Sequence, residues 1–152
     1  MRISSPEFQD GGRVPKQFTC EGRNLSPRLT FHDVPGGAAS LVLIMDDPGA
    51  PSGTFVHCLI WNLAPETEGL AEGAAPDGSA PGAVEGTNSA GRKGYTGPCP
   101  PKGHGDHHYR FTLYALDRRL ELKPGVGRDA LDAAMRDHVL AETRLTGLYA
   151  RG

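Results

Sequence analysis

The sequence predicts a single, mainly β domain with one helix near its C-terminal end, and three observations carry that reading. Gly and Pro number 21 and 13 of 152 residues, a load that favours many turns and short elements. The strongly apolar runs, 41–45 and 55–63, have the length of strands, not helices. Residues 109–115 alternate, with Tyr109, Phe111, Leu113 and Ala115 on one face and Arg110, Thr112 and Tyr114 on the other, as a half-buried strand does. At this length residues 1–152 form one domain with one core.

In chain order, Asp10-Gly11-Gly12 marks a turn and residues 17–20 a short strand, followed by a polar, Pro-bounded loop over 21–27. His32 stands at the end of a strand leading into Val34-Pro35-Gly36-Gly37, where a solvent-facing role is expected. Residues 41–45 read as a strand buried on both faces, and Asp46 and Asp47 as the cap of an exposed turn, since a carboxylate at the end of a core strand costs desolvation unless paired. In the strand at 55–63, period two places His57 on a face with Leu59, Trp61 and Leu63. The turn between the two strands is short enough to set Asp47 beside His57, where a carboxylate would fix the tautomer and favour the charged ring. Residues 64–93 read as a long surface excursion, with brief pairing at Val84-Glu85-Gly86-Thr87-Asn88. Leu131, Met135, Val139 and Glu142 recur with helical period, and 143–149 alternates as a final strand. His138 lies near the helix stripe in a core or capping role.

Charge and composition exclude several function classes. A formal charge of -2 and a pI near 6.3 give no general attraction to nucleic acid. No apolar run approaches the roughly 20 residues of a membrane span, and Met1 to Pro6 carries no apolar targeting region; a cytoplasmic location is expected. Cys20, Cys58 and Cys99 are odd in number and lack metal-type spacing, so free thiols are expected.

The densest run of special residues is 94–109, with Pro98, Pro100 and Pro101 among several glycines ahead of His104, Asp106, His107, His108 and Tyr109. Proline removes donors and fixes φ while glycine opens other conformations, so this is a shaped loop. It delivers His107 and Tyr109, on one face by period two, to the mouth of the following strand.

With Asp47-Pro48-Gly49-Ala50-Pro51, then His57, then 94–101 and His107-His108-Tyr109 in this order, the chain resembles the phosphatidylethanolamine-binding protein family, in particular its bacterial, Raf-kinase-inhibitor-like branch. The resemblance runs end to end, including 21–27 and His138-Val139-Leu140-Ala141. It implies an antiparallel β-sandwich with a few short peripheral helices and a C-terminal helix. It further implies a small pocket for an anion or phosphorylated head group, taking Asp47, His57, Pro100, Pro101, His107 and Tyr109. No cofactor or metal is implied; a protein kinase or protease partner and a homodimer are implied by analogy with other members. Three positions depart from the family pattern. Gly49 stands where an acid is usual, Cys58 where Trp is usual, and His108 where Arg is usual. An acid and a base are thus missing together, as expected if they form an ion pair in relatives whose joint loss leaves no buried charge unpaired.

The expectation from residues and resemblance together is a non-enzymatic binding protein, with two imidazoles and a phenol donating to an anion. The competing reading is a metal-dependent or acid/base hydrolase built on His104, Asp106, His107 and His108 with Asp47 and His57. Against it, His107 and His108 point to opposite faces of a strand. Cys99, between two prolines at the pocket edge, is a candidate redox-responsive thiol.

Overall fold

A computed structural model describes residues 1–74 and 82–152. Its strands are β1 (Arg2–Ser4), β2 (Leu29–His32), β3 (Ser40–Asp47), β4 (Phe55–Leu63), β5 (Gly69–Leu70), β6 (Val84–Glu85), β7 (His107–Leu116) and β8 (Val139–Tyr149), with one helix, α1 (Arg128–Met135), among the described residues. Two antiparallel sheets result, one ordered β1-β2-β5 and the other β6-β4-β3-β7-β8.

The central strand β3 is buried along its whole length, which is why its sequence is continuously apolar. Its alternation divides the core. Leu41, Leu43 and Met45 pack with Ile3, Leu29 and Phe31 of the smaller sheet, while Val42 and Ile44 pack with Leu131 and Met135 of α1. The larger sheet is therefore covered on one side by strands and on the other by a helix, each buried large side chain contributing about 1.5–3 kcal/mol.

β4 keeps its expected bounds but departs from period two at two places. Met45 pairs with Cys58 while Asp46 pairs with Val56, leaving His57 as an extra residue, and such a bulge changes which face the following side chains take. A second irregularity lies between the pairs Leu43–Ile60 and Leu41–Leu63, where Asn62 adopts φ 58 and its amide bonds both the N–H and the carbonyl of Leu120, at 2.7 and 2.8 Å. Leu59 and Trp61 consequently face the helix, and His57 faces Tyr109 on the opposite side. The expected common face of His57, Leu59, Trp61 and Leu63 is corrected by these bulges.

Other expectations change for tertiary reasons. Residues 17–20 are not a strand: Lys16–Phe18 is a 3-10 turn that buries Phe18 completely. Helix α1 stops at Met135, Asp137 turns the chain at φ 67, and Val139 and Glu142 belong to β8, which pairs with β7 from Leu116–Val139 to His107–Tyr149. Val139, apparently part of a helical stripe, is 42% exposed. His138 bonds Asp117 at 2.9 Å, and His32 is partly buried against Ser4 at 2.8 Å. The Val84–Glu85 pairing expected within 64–93 occurs, against β4; residues 75–81 of that excursion lie outside the described residues.

The cysteine expectation is also corrected. Cys20 and Cys99, 79 positions apart, form a disulfide, and only Cys58, which is buried, is a free thiol. Parity and spacing carry no information about two loops that fold against each other. These two do, through Tyr95 Oη donating to the Phe18 carbonyl at 2.6 Å and Cys20 N–H donating to the Pro98 carbonyl at 3.1 Å. No helix among the described residues is long and apolar enough to cross a membrane.

Candidate functional site

The two aspartates at the end of β3 are buried, with relative exposures of 4% and 3%, and are strand residues instead of an exposed turn. Period two sends them to opposite faces. Asp46 lies opposite Arg110 in the β3–β7 register and accepts from Arg110 Nε and Nη2 at 2.7 and 2.9 Å and from Arg128 Nη1 at 3.0 Å. Burial pushes its carboxyl pKa up, but the two guanidiniums outweigh burial and hold it below the usual range. Asp47, on the other face, accepts the Gly49 N–H at Oδ1, 2.8 Å, and the His107 Nδ1–H at Oδ2, 2.5 Å.

His107 uses its second nitrogen as well: Nε2 lies 2.6 Å from Nδ1 of His104. A line of three groups, Asp47, His107 and His104, thus runs from the core to the surface. The expected Asp47–His57 pair does not form. The β4 bulge instead turns His57 toward the 94–109 loop, where Nδ1 donates to the Thr96 carbonyl at 2.6 Å and the Thr96 N–H returns to the His57 carbonyl at 3.0 Å. Burial is the largest influence on His57 and lowers its pKa from the ordinary imidazole value, even though the Thr96 carbonyl, Asp47 and Asp46 favour the charged ring. At neutral pH His57 is therefore neutral, with its proton on Nδ1, which corrects the expectation of a protonated His57. Tyr109 is wholly buried; its hydroxyl has no partner among the described residues, and burial followed by the Asp47 charge raises its pKa.

These side chains surround a cavity of about 190 Å³. All six residues expected there, Asp47, His57, Pro100, Pro101, His107 and Tyr109, line it, together with Ala50, Pro51, Phe55, Thr96, Gly97 and Cys99. The wall contributed by 96–101 has no regular structure and is held by tertiary bonds. Gly97 N–H donates to Asn24 Oδ1 at 2.9 Å, and a Cβ at Gly97 would lie 2.3 Å from that oxygen and 2.4 Å from the Phe18 carbonyl, so only glycine fits. Arg151 Nε donates to the Pro100 carbonyl at 2.6 Å, and the Cys20–Cys99 disulfide ties the rim to the N-terminal loop. Sequence reasoning missed Thr96, whose part is played by backbone atoms and leaves no residue-type signal, and assigned His104 only to the hydrolase reading.

The three departures fall in different places. Gly49 and His108 are exposed and line an outer hollow with His104 and Asp106. An acid–base pair there would be a surface pair worth about 0–1 kcal/mol, so the expected penalty for a buried unpaired charge does not apply. Cys58 lies in the core between the sheets, away from the cavity. Of the hydrolase reading's residues, Asp106 is turned away to pair with Arg13 at 2.7 Å, and no group of three or more His, Cys, Asp or Glu among the described residues is placed to hold a metal.

Residues 4–150 match the family model described as phosphatidylethanolamine-binding protein. The chain is 48% identical over 153 residues to a UPF0098 protein of Methanothermobacter thermautotrophicus, covering 100% of both. It is 44% identical to a candidate lipoprotein, LppC, of Mycobacterium tuberculosis, covering 98% of this chain and 72% of that protein. Among solved structures it resembles a phosphatidylethanolamine-binding protein homologue from Chlamydia trachomatis, with a TM-score of 0.91 and 40% identity over 99% of this chain and 97% of the other.

Proposed function

The chain belongs to the phosphatidylethanolamine-binding protein family, and on that premise we propose that it binds a small oxyanion or phosphorylated head group in the cavity between β3, β4, β7 and the 94–109 loop. The observation that carries this reading is the cavity itself. A proline-walled space of about 190 Å³ brings together a buried Asp47–His107 pair, a neutral His57 and the hydroxyl of Tyr109, unpartnered among the described residues, and buried polar groups without partners mark places where a ligand completes the hydrogen bonding. Regulation of a kinase or protease would follow from occupancy of this cavity. The rim disulfide, with both cysteines exposed, fits an oxidising compartment better than a reducing cytoplasm.

Titration calorimetry with inorganic phosphate and phosphoethanolamine tests the reading. Saturable binding is expected for the natural protein, and its loss in a folded His57→Ala, His107→Ala double variant. Binding unaffected by the double substitution would move the ligand elsewhere.

A further inference from the structure

The cavity's inventory of donors and acceptors is lopsided for an anion. Among the described residues its lining includes no lysine or arginine. Arg151, the cation that acts on Tyr109, is bonded to the Pro100 carbonyl and is not part of the lining. His107 has committed both nitrogens, to Asp47 and His104. His57 has committed Nδ1–H to Thr96, so the neutral ring presents at Nε2 a lone pair, which accepts and cannot donate. Asp47 brings a negative charge to the same space, with its oxygens already taken by Gly49 and His107. The groups around His57 are Asp46 and Asp47 from β3, Tyr109 and His107 from β7, and the Thr96 and Gly97 backbone; none supplies a fixed positive charge.

Resting on the anion-cavity reading, we propose that the ligand group is an oxyacid that keeps one proton, of the hydrogen phosphate monoester or hydrogen phosphate class, bound with its P–O–H donated to Nε2 of His57. An ordinary oxygen of the same group accepts from the Tyr109 hydroxyl. A fully ionised group would set an oxygen lone pair against the Nε2 lone pair beside the Asp47 charge, leaving buried polar groups opposed. The balance is one proton for a monoester: above its second phosphate pKa of about 6, the free monoester dianion takes up one proton from solvent as it binds. The inorganic hydrogen phosphate dianion already carries the P–O–H, and no other bond forms or breaks. A sulfate ester of the same shape has no such proton to bring.

Calorimetry on the full chain decides this. At about pH 7.5, in two buffers of different ionisation enthalpy, phosphoethanolamine should bind with uptake approaching one proton per ligand, because the free monoester is then mostly dianion. Inorganic phosphate, whose dianion keeps a P–O–H, should bind with little uptake. At about pH 6.5, ethanolamine O-sulfate should bind at least about tenfold more weakly than phosphoethanolamine. A preference for phosphoethanolamine over phosphate identifies a phosphorylated head group as the source, and equal affinities identify the phosphate group alone; both support the proposal. His57→Gln, whose amide can donate, should narrow the sulfate discrimination, while the natural protein decides the question if that variant does not fold. Sulfate and phosphate esters binding equally, without proton uptake, would overturn the proposal and leave the anion cavity intact. Absence of binding by every ligand would remove the anion cavity itself.

Discussion

Asp46 and Asp47 are neighbours on one strand and almost equally buried, at 4% and 3% exposure, yet they serve opposite ends. Asp46 meets two guanidiniums in bidentate and single contacts, groups that stay charged at any pH a protein survives. On its face of the sheet, Asp46, Arg110 and Arg128 form a fixed ion-paired network at the wall of an open hollow beside α1. Asp47 meets an imidazole that in turn meets another imidazole, and its face opens on a cavity whose tyrosine hydroxyl is left unpartnered among the described residues. Burial of a carboxylate therefore does not mark a functional site. What distinguishes the two is the kind of partner, fixed guanidiniums for Asp46 and a chain of two imidazoles for Asp47.

The covalent tie belongs to the cavity face alone, and removing it should have the largest effect. Cys20→Ser with Cys99→Ser opens a loop of 79 residues' separation and should lower unfolding stability by about 3 kcal/mol, read from urea midpoints, with weaker phosphate binding. An unchanged midpoint would mean that the Tyr95, Gly97 and Arg151 hydrogen bonds fix the wall unaided. Next, Arg110→Met leaves Asp46 with one partner fewer and should cost about 2 kcal/mol while changing phosphate affinity less than about twofold. Asp47→Asn should do the reverse, costing about 1 kcal/mol of stability and, by removing the carboxylate charge from the cavity, shifting phosphate affinity well beyond that range. Matching effects from the two substitutions on both readouts would erase the distinction between the faces.

The smallest effect is a difference in pH response. His57 has a folded pKa below its unfolded value, so its contribution is complete above about pH 6.5 and is lost as pH falls through the folded value. Asp46, also depressed, contributes above about pH 3.9 and loses its contribution only in stronger acid. Urea midpoints between about pH 6.5 and pH 5 should therefore fall, and His57→Gln should flatten that fall. An identical slope in the variant would assign the acid sensitivity to another group.

Much of this architecture was legible in the chain. The run Leu41–Met45 lies within β3 and residues 55–63 are β4, because a strand buried on both faces has little choice but to be continuously apolar. Val84–Glu85 pairs where expected, and β7 alternates as Tyr109 to Ala115 indicated. The six side chains of the family motifs do meet around one cavity. The face of His57 was not legible, because period two assumes an unbroken ladder and β4 contains an extra residue there. Nor was the end of α1, since Val139 has a helical spacing that pairing with β7 overrides.

The sequence by itself determined which stretches become core strands, where the rigid loop lies and which residue types surround the cavity, because apolar periodicity and the constraints of proline and glycine act over a few neighbouring residues. Tertiary structure alone decided that Asp47 holds His107, 60 positions away, and not His57. It alone decided that burial keeps His57 neutral while the Thr96 carbonyl fixes its proton on Nδ1, and that Cys20 finds Cys99. Each of these depends on a bulge or on two loops meeting in space, and the free energy that selects them, desolvation against pairing, exists only once the surrounding atoms have excluded water.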